Sequence, residues 1–297
     1  MDDLIYIVLV NYNERKYLKD CLESILNQTY HNIKVVMIDN DSNDGSVEEV
    51  RKSFPDVEIF QTGSNTGFAH GCNVGIEYAL ENGADYVMLL NIDTHIDTNL
   101  VFHLHRHASN CKVTSPKIYS DQMYSNIWYA GGGMDYTVGS HTQFHDERLE
   151  QKNSEPAHSM KFASGCCMLV HRDIWQKIGL LDEKYFMYFD DDDLSVRFRK
   201  SHIKMLYVPE AIMWHKVGGS YKGMKNILTE YYFTRNKLYF VWKHKDVMKI
   251  DIFHLTWQML EQKVFHAKGN DKRYIPYVIR GICDFYLRKM YRSSCKF

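Results

Sequence analysis

Ile5 to Val10 is an unbroken apolar run, rich in β-branched residues, that leads straight into Asn11-Tyr12-Asn13. A short apolar run without polar alternation predicts a strand buried on both faces, and such a strand needs helices on both sides of its sheet. The pattern then repeats. Leu18, Cys21, Leu22, Ile25 and Leu26 recur at spacings of three and four, which predicts an amphipathic helix, with Asn13 placed to cap it. Ile33 to Ile38 reads as a second buried strand, and Ser46 with Glu49 has the spacing of a capping box for the next helix. A third strand over 57–60, a helix over 67–80 and a fourth strand over 86–90 complete the series. This βαβαβαβ order predicts an α/β fold with a parallel sheet and right-handed crossovers. Ligands of such sheets bind beyond the carboxyl ends of the strands.

Polar clusters fall at those ends: Asn11-Tyr-Asn13, Asp39-Asn-Asp-Ser-Asn-Asp-Gly45, Asn65-Thr-Gly-Phe-Ala69 and Asn91-Ile-Asp-Thr94. One such cluster is an ordinary polar turn. Four on one sheet edge offer acceptors for a base or ribose and a carboxylate suited to a divalent ion. Gly67, Gly71 and Gly75 follow neither the dinucleotide fingerprint nor a P-loop. Glycine at every fourth residue predicts close packing of one helix face on a neighbour, while Asn73, on another face, is placed to reach the ligand edge.

Asp190 to Asp193 are four consecutive carboxylates behind the aromatic stretch Tyr185-Phe-Met-Tyr-Phe189. Adjacent anions resist burial unless a cation or a proton compensates them, and a helix N-terminus is one place that favours them. Charge is also uneven along the 297 residues. From Lys216 onward there are 17 Lys/Arg and 6 Asp/Glu, a balance of +11, against −12 for the rest. A basic tail on an acidic body predicts an anionic partner, either lipid headgroups or a pyrophosphate-bearing ligand. The seven cysteines contain no C-x-x-C pair, which argues against a common zinc site and for reduced thiols in the cytoplasm. Met-Asp-Asp running directly into a strand carries no export signal, and no apolar run reaches the length of a membrane span.

Taken together, Val10-Asn-Tyr-Asn13, Ile38-Asp-Asn-Asp-Ser-Asn-Asp-Gly-Ser46, Asn65-Thr-Gly-Phe-Ala-His-Gly-Cys-Asn-Val-Gly75, Leu89-Leu-Asn-Ile-Asp-Thr94, the stretch 179–194, and Trp214-His215 followed by Ser220 are similar to the motifs of family 2 glycosyltransferases of GT-A fold. The resemblance is to the bacterial branch of rhamnosyltransferases and galactofuranosyltransferases, and it runs from about Ile5 to Asn236.

The resemblance implies a role for each motif. Asp39 would bind the nucleotide base, with Asn11 and Asn65 as base and ribose neighbours. Asn91-Ile92-Asp93 stands in the place of the D-x-D motif, with Asn91 replacing its first carboxylate and Asp93 binding the metal at the diphosphate. His215 would join that metal, Mn2+ or Mg2+. Asp191 would be the catalytic base, Asp190 its neighbour toward the acceptor, and Arg235 a contact near the diphosphate.

These expectations combine into a mixed-sheet GT-A catalytic domain over 1–220, with a nucleotide-sugar half over 1–115 and an acceptor half over 116–220. A basic helical extension over 221–297 follows. The implied activity is metal-dependent inverting transfer from a dTDP- or UDP-sugar to a glycan, in particular a lipid-linked bacterial surface polysaccharide. No nucleic-acid partner is expected, and a homodimer is left open. Tyr277 to Arg292 mixes apolar and basic residues, which fits either a helix on the inner face of the cytoplasmic membrane or one packed on the catalytic domain. The first alternative function is a sugar-phosphate nucleotidyltransferase, which would carry a Gly-rich basic loop where this chain has Asn11-Tyr-Asn-Glu-Arg15. The second is a non-catalytic carbohydrate- or cation-binding module, which leaves the four strand-end clusters unexplained.

Overall fold

A computed structural model of the chain describes residues 2–120, 126–143, 156–216 and 227–293. The first half alternates as β1 (Ile5–Asn11), α1 (Arg15–Leu26), β2 (Ile33–Asp39), α2 (Ser46–Ser53), β3 (Glu58–Gln61), α3 (Phe68–Glu81) and β4 (Tyr86–Leu90). β1 pairs in parallel with both β2 and β4, and β2 with β3. Every residue of β4, and all of β1 except Val10, is buried.

The chain then adds β5 (Thr94–Ile96), α4 (Leu100–Cys111), β6 (Val113–Tyr119), β7 (Ile127–Tyr129), and a separate hairpin of β8 (Gly132–Asp135) and β9 (Ser140–Gln143). β10 (His158–Met160), β11 (Cys167–His171), α5 (Arg172–Ile178), α6 (Asp190–Lys200) and β12 (Met205–His215) follow. β11 lies antiparallel between β4 and β6, so one mixed sheet runs β10-β12-β6-β11-β4-β1-β2-β3. The expected halves share this sheet, and their boundary at 115/116 falls inside β6. β12 continues past Pro209, and its register shifts between Val208 and Ile212. A proline cannot donate to a strand ladder, so a local irregularity accommodates it.

The glycine stripe does what its spacing predicts. A Cβ on Gly75 would sit 2.3 Å from Val8 Cγ1, and one on Gly71 2.7 Å from Val10 Cγ1, so α3 packs on β1 closer than any side chain allows. At Gly67, with φ +95, a Cβ would lie 2.5 Å from the Phe186 carbonyl oxygen, which accepts a hydrogen bond from the Phe68 N–H at 2.8 Å. The Asn65 loop and the aromatic loop before α6 are thereby held together.

Both expected helix caps are corrected. α1 starts two residues after Asn13, whose Oδ1 accepts from the Asn43 N–H at 2.8 Å. α2 begins at Ser46 itself behind a left-handed Gly45, with no side-chain cap; Glu49 instead pairs with Arg15. In both places a cross-loop contact takes the group that a local cap would have used.

The C-terminal part contains α7 (Ile227–Lys243), α8 (Ile252–Leu260) and α9 (Ile275–Tyr286), with a one-turn π segment over 261–265. α9 buries Val278, Gly281, Ile282 and Phe285. A Cβ on Gly281 would meet the Tyr231 carbonyl at 2.9 Å, so α9 lies directly on α7. The apolar face expected over 277–292 therefore packs on the protein. Tyr286 and Tyr291 are exposed beyond this packed face, and Phe253, Trp257 and Phe265 are the most exposed aromatics of the C-terminal part. Among the described residues no helix is long and apolar enough to cross a membrane, and the described cysteines are free. Ser220 and 144–155 of the expected acceptor half lie outside the described residues.

Candidate active site

The carboxyl ends of β1, β2 and β4, the Asn65 loop, the 164–166 turn and the start of α6 surround one cavity of about 780 Å³. Of the residues singled out by sequence, Asn65, Asn91, Asp93, Asp190, Asp191 and His215 line it. Asn11, Asp39, Asn73 and Arg235 do not.

Asn11 and Asp39 are fully buried and bonded to one another, Asn11 Nδ2 donating to Asp39 Oδ2 at 2.7 Å. Asn11 also donates to Ser46 Oγ at 2.7 Å, and Asp39 Oδ1 accepts from the Ser42 N–H at 3.0 Å. The pair thus shapes the loop after β2. Asn65 Oδ1 accepts from the Gly67 N–H at 3.1 Å, a local turn that sets the loop at the cavity rim.

Asp93 Oδ1 and His215 Nε2 lie 3.1 Å apart, each side chain 13% exposed. β5 pairs antiparallel with the end of β12, matching Thr94 with His215, and this pairing brings the two together across 122 residues of chain. Trp128 packs edge-on against the imidazole at 4.7 Å. His215 Nδ1 is buried with no hydrogen-bond partner. No group of three or more His, Cys, Asp or Glu forms a cation cage among the described residues. A carboxylate oxygen and an imidazole nitrogen facing one cavity suit a divalent ion that takes its remaining ligands from a bound diphosphate and water.

The acidic run opens α6, where the helix dipole favours anions. Its four carboxylates meet four different surroundings. Asp193 is fully buried. Burial opposes its charge, but His244 at 2.8 Å, Arg197 at 2.8 Å and Lys243 at 2.6 Å hold it well below the usual carboxylate range. Asp192 accepts from the His141 backbone N–H at 3.1 Å and lies 2.9 Å from His141 Nδ1. Asp191 Oδ2 accepts from the Gly165 N–H and its Oδ1 from the Asp192 N–H, both at 3.0 Å. Burial, then the Asp192 charge, pushes Asp191 up to about 6. Burial among aromatics, then the Asp191 charge, pushes Asp190 well above the usual range. Environments that separate neighbouring carboxyls in this way assign them different roles. The raised Asp191 carboxyl is placed to accept a proton, and the shift at Asp190 favours its protonated form.

Two expected donor contacts have other uses. Asn73 is pinned to the 181–183 segment, Nδ2 donating to Leu181 O at 3.0 Å and Oδ1 accepting from Leu181 N at 2.9 Å. Arg235 is fully buried, and its guanidinium donates to the carbonyls of Tyr291 at 2.7 Å and of Lys184 and Tyr185 at 3.2 Å. On the helix surface both positions face packed segments rather than the cavity, a distinction that residue type does not reveal.

Three cavity residues carried no signal in the sequence: Trp128, His141 and Phe233. His141 comes from a polar stretch without periodicity, and only the β8–β9 hairpin brings it to α6. Asn236, next to Arg235, donates to the carbonyls of Met187 and Tyr185 at 2.7 and 2.8 Å. It holds a loop in which Phe186, Tyr188 and Phe189 all have positive φ. Bulky residues seldom adopt that conformation, and it persists where the surroundings enforce it.

The glycosyl transferase family 2 model matches residues 6–179, more than half of the chain, including the ends of β1, β2 and β4 and Asp93. The chain belongs to glycosyltransferase family 2. This family 2 chain is 29% identical, over 72% of its length and 76% of the relative's, to N-acetylglucosaminyl-diphospho-decaprenol L-rhamnosyltransferase of Mycobacterium tuberculosis. It is 23% identical to the dTDP-rhamnosyl transferase RfbF of Shigella flexneri, over 92% and 91% of the two chains. Its fold is that of the GT-A glycosyltransferases. A structure of GalNAc-T7 with UDP, GalNAc and Mn2+ superposes with a TM-score of 0.65 at 15% identity, over 94% of this chain and 54% of that one. The mannosyltransferase PcManGT of Pyrobaculum calidifontis with GDP-Man and Mn2+ gives 0.62 at 12% identity, over 96% and 87%.

Proposed function

We propose that this family 2 glycosyltransferase moves a sugar, with inversion, from a nucleotide-diphosphate donor to a hydroxyl of a lipid-linked surface glycan, with Asp191 as base. One observation carries the reading: the Asp191 carboxylate is fixed by two backbone N–H groups in the same cavity that holds the Asp93–His215 pair.

In this reading the acceptor oxygen forms its bond to the anomeric carbon as the bond to the diphosphate oxygen breaks, and Asp191 takes the acceptor's proton. Fixing the carboxylate in advance removes the need to order it during reaction. Asp190, whose burial favours the protonated form, would face the acceptor side. Asp93 and His215 would hold Mn2+ or Mg2+, which supplies positive charge at the diphosphate when bound. Asp39, Asn11 and Asn65 would shape the base and ribose end. The C-terminal helices from Ile227, with Phe233 on the cavity wall, would support the acceptor side.

The names of the two bacterial relatives support a dTDP-rhamnose-like donor and a polyprenyl-linked acceptor. Phe253, Trp257 and Phe265, exposed beside basic residues of the C-terminal part, support contact with the lipid surface that carries such an acceptor. The test is a hydrolysis screen of dTDP-, UDP- and GDP-sugars with manganese present. One donor class, with dTDP-rhamnose expected first, should be consumed. Consumption of none, together with no nucleotide binding by calorimetry, would overturn the reading.

A further inference from the structure

We propose that His141 is a positioning residue for the reaction: its imidazolium, clamped on Asp192, is the counter-charge that lets Asp191 ionise beside a second buried carboxylate. The proposal deepens the reading of Asp191 as the base and rests on it.

The geometry sets the clamp. His141 meets Asp192 through both its backbone N–H, at 3.1 Å to Oδ1, and its ring Nδ1, at 2.9 Å to Oδ1 and 3.0 Å to Oδ2. The ring is stacked flat on Phe162, with centroids 4.0 Å apart and planes 6° apart. Its orientation is thus fixed by an aromatic face as well as by hydrogen bonds. Asp192 is 2% exposed, and a carboxylate so placed needs a cation or a proton.

The charges around the clamp decide which of the two it takes. Asp191 faces Asp190 and Asp192 on its own helix, the Gly165 N–H and the Cys166 thiol on the 164–166 turn, Tyr129 on β7 and His141 on β9. Asp192 also feels Lys237 on α7, whose own charge burial disfavours. His141 is therefore the cationic group that reaches both carboxylates. Burial works against its charge, yet its bond to Asp192 and the charges of Asp192 and Asp191 leave its pKa raised. Without that charge, Asp192 would face Asp191 with its nearest cation gone, and like charges hold each other's protons on.

The test is an NMR titration of the full chain labelled at aspartate 13Cγ, with Asp191 assigned by its absence in Asp191→Asn. No substrate is needed. In His141→Phe, which keeps a ring to stack on Phe162, the Asp191 midpoint should rise by on the order of one pH unit. The double variant His141→Phe/Asp192→Leu should bring it back to the wild-type midpoint or below. His141→Gln keeps an N–H donor without the charge and should shift the midpoint in the same direction. It also stands in if the phenylalanine variant does not fold. A purely structural His141 predicts lower melting temperatures with the Asp191 midpoint unmoved, and that result would overturn the inference. Failure of the underlying reading looks different: an active Asp191→Asn enzyme would remove Asp191 as base and leave the titration result standing.

Discussion

Asn236 Nδ2 donates to the Met187 carbonyl at 2.7 Å and to the Tyr185 carbonyl at 2.8 Å, tying α7 to the left-handed aromatic loop that aims the acidic run. Asn236→Ala would take this donor from the Met187 and Tyr188 carbonyls, at a cost of about 1–3 kcal/mol. It should lower the melting temperature and reduce turnover more than nucleotide affinity, because the loop governs Asp190 and Asp191 rather than the strand-end site. A variant that melts lower but keeps full turnover would show that the loop needs no such clamp.

The parallel half of the sheet was legible because it depends on local pattern: the Ile5–Val10 run and the glycines at 71 and 75 have few alternative uses. The strand-end polar clusters were legible for the same topological reason. Roles that depend on distant partners were not. Arg235 is the residue type that binds diphosphates, yet its guanidinium is spent on the backbone carbonyls of the 184–185 turn. His141 belongs to the site only through β9, and a polar stretch without periodicity gives no hint of that hairpin.

Asp193 anchors the far side of α6 through His244, Arg197 and Lys243. Asp193→Asn should cost about 1–3 kcal/mol, because it takes the charged partner from the part-exposed Arg197 and Lys243 and from the buried His244. The sign with pH follows from the lowered pKa. The stabilisation is complete above the unfolded carboxylate value near 4 and is lost as pH falls toward the folded value. Wild type should lose stability over that acid range, and Asp193→Asn should lose less. Parallel acid-denaturation curves for the two proteins would contradict this role.

If Asp93 and His215 hold the ion, chelation should abolish transfer, and manganese or magnesium should restore it. Asp93→Ala should weaken nucleoside-diphosphate binding with metal present and change it little without metal. Calorimetry under both conditions reads this directly. Full activity in excess chelator would move the diphosphate onto basic side chains instead.

The lipid-surface reading places contact on Phe253, Trp257 and Phe265 rather than on the packed face of α9. Replacing all three by serine should reduce co-sedimentation with anionic vesicles, with little change in melting temperature, since the rings are exposed. Each nearby basic residue adds about 1 kcal/mol at low salt, so the binding should fall as salt rises. Unchanged vesicle binding would sink the reading.

Asp191→Asn keeps the size of the proposed base and one of its two accepted backbone hydrogen bonds, and removes its proton-accepting charge. The deciding measurement is its turnover, using the donor found in the nucleotide-sugar screen, beside its nucleotide affinity. Turnover should fall by about two orders of magnitude or more while donor binding stays near wild type. Near-normal transfer by this variant would contradict the account at its centre.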